Sequence, residues 1–163
     1  MNRETQSIIS NFQNVLNGKP WYGRSVFAIT SEIDPTIVYK EPASPADGPN
    51  ANAHSLIELL YHSLTWAEYT LEVLQNAGEK EIAAIKKLDW REINPAVHTW
   101  DKGVTAFKAV HEKIIHLLQE KNDEFLNEKA NPHNFNYGYL LNGLLQHDIY
   151  HLGQIAYVKK MFS

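Results

Sequence analysis

Eight histidines and no cysteine fall in 163 residues. Any transition-metal site in this chain must therefore be built from imidazoles and carboxylates, and neither a thiolate nucleophile nor a disulfide is available. His147 and His151 stand four apart in a segment of helical periodicity. On a helix they lie on one face, one turn apart, where two imidazoles can share an ion. Random placement of eight histidines would give roughly 0.4 such pairs, so the spacing alone carries little. The face carries more: steps of three and four through Leu140, Leu144, His147, His151, Ile155 and Val158 put both rings in line with residues expected to point inward. An unpaired polar group in a core costs ~1–3 kcal/mol. The two rings are therefore either hydrogen-bonded to neighbours or bound to a metal, and spacing leaves both readings open.

His62, in Leu59-Leu60-Tyr61-His62-Ser63-Leu64-Thr65-Trp66, lies on the edge of another apolar stripe. It is either a boundary histidine or a third imidazole facing the pair from a second helix. Glu58, one turn before it, is an exposed helix carboxylate or a neighbour that could hydrogen-bond a ligand histidine. Gln154, close after His151, could orient a ligand or a bound water. Asp148 follows His147 but points about 100° away, which argues against direct ligation. His54 is about 80° around the helix from His62 and reads as a helix-start or pocket-rim residue. His111 and His116 are about 140° apart on one helix, and His98 and His133 fall near turns; all four are expected to be solvated. Tyr61, Tyr150 and Tyr157 read as packing residues with a polar tip, and Gly153 as a point where another helix could approach.

Other chemistries lack their residues. The chain has no glycine-rich phosphate loop, no Gly-x-Ser-x-Gly elbow and no His-Glu-x-x-His; His147-Asp-Ile-Tyr-His151 has that spacing without the glutamate. No Glu-x-x-His motif recurs on two helices, and nothing asks for haem. Lys and Arg total 15 against 19 Asp and Glu, a net charge of -4 without long basic runs, so nucleic acid is not an expected partner. Apolar runs such as Val26-Phe27-Ala28-Ile29 stop at four residues, far short of the ~18–20 that span a bilayer. The start, Met1 to Gln6, carries no secretory pattern, so a cytoplasmic location is expected.

The elements that must position these residues are helical. Ile8, Ile9, Phe12, Val15 and Leu16 define a helix over 2–17, stopped by Gly18 and Pro20. A second apolar pattern from Trp21 to Ile33, ended by Asp34-Pro35, is expected to continue that helix after a kink. Residues 37–52, with Pro42, Pro45, Gly48 and Pro49, make one long loop. A long amphipathic helix follows over 53–75, with Gly78 beyond it as a stop; 83–95 reads as a connection. Trp100 to Lys121 and Tyr137 to Val158 give the last two long helices, and no period-2 strand is present. One domain over 1–163, an all-α bundle of four long helices with a loop long enough to cross it, is the expected architecture.

Three segments resemble the DinB-like superfamily, which includes the YfiT-type proteins. Gly143-Leu-Leu-Gln-His147-Asp-Ile-Tyr-His151-Leu-Gly-Gln-Ile155, followed by Val158-Lys159-Lys160, is similar to that group's last-helix signature. His54-Ser-Leu-Ile-Glu-Leu-Leu-Tyr-His62-Ser-Leu-Thr-Trp66 and Lys19-Pro-Trp21-Tyr22-Gly23 resemble it more softly. The resemblance implies a four-helix bundle with a long crossover, often a homodimer, binding a divalent metal such as nickel or zinc through three histidines. In this chain those would be His62, His147 and His151, with Glu58 and Gln154 as possible supporting neighbours. It also implies a small-molecule substrate: relatives include thiol-dependent transferases and isomerases and metal-dependent hydrolases.

Three neutral imidazoles around an ion leave at least one position open, which is a catalytic rather than a structural pattern. Hydrolysis and transfer to a low-molecular-weight thiol are both compatible with such a site, and no residue is named as general base. The alternative expectation is a non-catalytic bundle, a stress or interaction protein with packed histidines.

Overall fold

A computed structural model describes residues 2–42, 53–75, 85–131 and 133–162. These residues form α1 (Arg3–Asn17), α2 (Val26–Thr30), α3 (Leu56–Leu74), α4 (Trp100–Gln119), a 3-10 turn (Asp123–Asn127) and α5 (Tyr137–Met161). Among the described residues no strand is present beyond an isolated antiparallel bridge, Lys129 to Asn136. The fold is all-α, as the periodicities require. No helix is long and apolar enough to cross a membrane among these residues. The expected stop at Gly78, most of the long loop (43–52) and the start of the 83–95 connection lie outside the described residues.

The segment after α1 does not continue that helix. Gly18 N–H is taken by Asn14 O and Lys19 N–H by Asn14 Oδ1, both at 2.9 Å. Pro20 then has no N–H to donate, so the ladder stops. Gly23, at φ 136°, occupies backbone space that other residues rarely adopt and turns the chain into the five-residue α2. The start of α1 is closed from far along the chain. Asn2 makes no side-chain cap, and the Thr5 N–H and hydroxyl donate to Asp123 Oδ1 at 2.9 and 3.0 Å. Those hydrogen bonds hold the Asp123 carboxyl below its ordinary range.

α3 is the central helix, packing against both α4 and α5, while α1 packs against the same two helices. Its expected apolar stripe is in fact nearly a whole cylinder: 15 of its 19 residues are buried. Ser63, Thr65 and Thr70 survive there because each hydroxyl donates to the carbonyl four residues back, at 3.0, 2.8 and 2.9 Å. Its N-terminus is a capping box: Ser55 N–H donates to Glu58 Oε2 at 2.7 Å and Glu58 N–H to Ser55 Oγ at 3.4 Å. α3 and α4 meet closely at Gly103, where a Cβ would stand 2.7 Å from Leu60 Cδ2 and 2.9 Å from Tyr61 Cε2. Gly153 plays no such part, since nothing approaches within 4 Å of its Cβ position.

α4 and α5 are joined by a buried polar pair. His111, fully buried rather than solvated, shares Nδ1 with Phe107 O and Nε2 with Asp148 Oδ2, both at 2.8 Å. Burial pushes the Asp148 carboxyl up, against the pull of His111. His133 is also buried, hydrogen-bonded to the Tyr69 hydroxyl and stacked on Phe135.

Two variants test this packing by urea denaturation of metal-free protein. Gly103→Val is expected to lose ~1–3 kcal/mol through overpacking between α3 and α4. His111→Ala, which strands Asp148 in the core, is expected to lose ~3–5 kcal/mol.

Candidate metal centre

Position 62 on α3 and positions 147 and 151 on α5 face one another where the two helices pack. His62 Nε2 is 2.9 Å from His151 Nε2 and 3.0 Å from His147 Nε2. One ring nitrogen from each of the three residues lies within 4.8 Å of the other two. His62 and His151 are buried and His147 is partly so. The three imidazoles named from spacing and resemblance are thus brought to a single point.

The other ring nitrogens decide what that point can hold. His62 Nδ1 faces two acceptors of Asp89, the carboxylate Oδ1 at 2.8 Å and the carbonyl oxygen at 3.2 Å. It therefore carries the ring hydrogen, and its Nε2 presents a lone pair. His151 Nδ1 donates to Gln154 Oε1 at 2.5 Å, while Gln154 Nε2 donates to the Tyr150 hydroxyl at 3.3 Å. His151 Nε2 is then a lone pair as well. Two acceptors face each other across 2.9 Å, an arrangement that calls for a positive centre between them. His147 Nδ1 is buried without a hydrogen-bond partner among the described residues.

A proton serves that role poorly at neutral pH. Burial pushes His147 down to about 3, with the neighbouring His151 and His62 adding to the effect. Burial and then His62 take His151 down to about 4, against the hydrogen bond to Gln154. Burial also lowers His62, opposed by the Asp89 carboxylate. Three unprotonated nitrogen donors, two of them anchored through Nδ1, are compatible with a divalent transition metal.

Gln154 stands beside His151, where it orients that ring. Glu58 does not reach His62: it is spent on the α3 capping box, and its other oxygen is 4.0 Å from His54 Nδ1. Asp89 occupies the place beside His62, and Trp66 Nε1 also donates to it at 2.6 Å. Spacing did not point to Asp89, which lies in a connection without periodicity. His54 reaches the rim through Trp90, on which it stacks at 3.5 Å between ring centroids. Trp90 stacks on His62 at 3.9 Å as well. Asn94 N–H donates to His98 at 3.0 Å, and His116 is exposed. The Tyr61 hydroxyl donates to Thr99 O at 3.1 Å; Tyr150 and Tyr157 are exposed, and Tyr150 sets its ring edge-on to His151.

The family description that matches the chain is the DinB superfamily, over residues 26–155, a span that takes in α3 with His62 and most of α5 with His147 and His151. No curated protein matches it. All-helical architecture and a match over most of the sequence agree: the chain belongs to the DinB superfamily.

Proposed function

We propose that this protein holds a divalent metal, nickel or zinc, through His62, His147 and His151, and uses it as an enzyme on a small molecule. The observation that carries this reading is the meeting of three imidazoles in a largely buried setting, with His62 Nε2 2.9 Å from His151 Nε2 and 3.0 Å from His147 Nε2. Three neutral donors leave a divalent ion its full charge and an open position, and so supply Lewis acidity at neutral pH. The chain's own residues do the rest. Asp89 and Gln154 hold two of the rings in the tautomer that presents Nε2. Trp90 lies flat against His62, and Trp66 stands beside His147 at 6.0 Å between ring centroids, so an indole packs next to each of these imidazoles. Without a cysteine in the chain, a thiol reaction would take its sulfur from a small-molecule cosubstrate. Hydrolysis and thiol transfer are the two reactions to screen.

Metal content measured by mass spectrometry on untagged protein should be near one equivalent per chain. It should be lost in His62→Ala, His147→Ala and His151→Ala variants that remain folded by circular dichroism. Folded wild-type protein that takes up neither nickel nor zinc on incubation would overturn the reading.

The metal-free protein should also respond to acid in a set direction. His147 and His151 have folded values of about 3 and about 4, below the ordinary histidine value of ~6.5. Between those limits the unfolded chain binds more protons than the folded one, so stability falls as pH drops from ~6.5 toward ~4 and is unaffected by these rings above it. Urea denaturation at several pH values should show that slope, reduced in the His147→Ala/His151→Ala double variant.

A further inference from the structure

Three consecutive residues of the α3–α4 connection close onto the face of α3 that carries His62. Asp89 Oδ1 is 2.8 Å from His62 Nδ1 and takes the Trp66 indole N–H at 2.6 Å. His62 and Trp66 are one helical turn apart, so a single carboxylate oxygen gathers two donors from one stripe of the helix. Trp90 follows, its indole parallel to His62 and to His54, within 7° and 6°. With centroids at 3.9 and 3.5 Å, both rings cannot fit over the same face of the indole, so they sandwich it. Arg91 comes next, donating to Thr65 Oγ1 and standing over the Tyr61 ring at 5.7 Å.

The three imidazoles are supported unequally. A carboxylate backs His62, a carboxamide backs His151, and His147 Nδ1 has no partner among the described residues. We infer that Asp89 is a positioning residue: delivered by the connection rather than by the helices that carry the imidazoles, it fixes the ring and hydrogen of His62, making His62 the anchoring member of the triad. This role rests on the proposed metal site for its consequence, because a carboxylate behind an imidazole raises the basicity of the opposite nitrogen and holds it on the ion. Asp89 touches no reacting atom. It acts through His62, and Trp90 keeps the ring from turning.

The test uses the full chain, metal-free and with zinc as the probe. In nuclear magnetic resonance of the metal-free protein, the His62 Nδ1 proton, assigned by its loss in His62→Ala, should resonate downfield as a charge-assisted bond to a carboxylate. It should move upfield in Asp89→Asn, which keeps the shape and removes the charge. Zinc affinity, measured by competition with a chelator, should fall 10–100-fold in the same variant while the fold by circular dichroism is unchanged. An unmoved proton resonance, or zinc held as tightly by Asp89→Asn as by the wild type, would overturn the role given to Asp89 and leave the triad standing. A proton that moves in a wild-type background that binds no zinc would support the positioning of His62 and sink the metal reading alone.

Discussion

Nitrogen lone pairs repel, and a buried setting offers little water to come between them. At the meeting of α3 and α5 the chain places two such pairs 2.9 Å apart, on rings whose other nitrogens are already committed to Asp89 and Gln154. Much of the remaining structure serves to maintain that contact. α3 must be central for His62 to be buried, and its hydroxyls must bond back along the helix for a central α3 to be tolerated. α5 must present its 147–151 face to α3, and the His111–Asp148 pair fixes the adjoining side of α5 against α4. A site that is unfavourable by itself is thus held by packing that surrounds it, as strained functional groups generally are.

The three clustered histidines and the helices were legible because both are periodic. His147 and His151 announce themselves by a four-residue step on an inward face, and His62 by its place on the edge of a stripe; a resemblance joined the three. Glu58 was legible in a different sense: Ser55-Leu-Ile-Glu58 ahead of an apolar run is the pattern of a capping box, and the structure uses it so. His111 belongs with Phe107, Ile114 and Leu118 at steps of three and four, which is the signal that it is buried.

Asp89 and Trp90 carried no such signal. They lie in a connection whose shape is set by what it lands on, and no local spacing encodes that Asp89 will meet His62, 27 residues earlier, or that Trp90 will pass between His54 and His62. The same holds for the break after α1, where a run of apolar residues suggested more helix. There the outcome turned on Asn14 consuming two successive N–H groups and on the turn at Gly23.

Asp123, which closes the start of α1, stands 118 residues beyond Thr5. During synthesis α1 emerges before α3 and α4, with its leading amides open and neither of those helices yet there to bury its stripe, and a lone helix of its length is marginal in water. Its closure waits until the turn after α4 has left the ribosome, so a helix made early is secured late. The two segments are therefore coupled in time, and a ribosome pausing before residue 123 would hold α1 as an unfinished, exposed amphipathic segment.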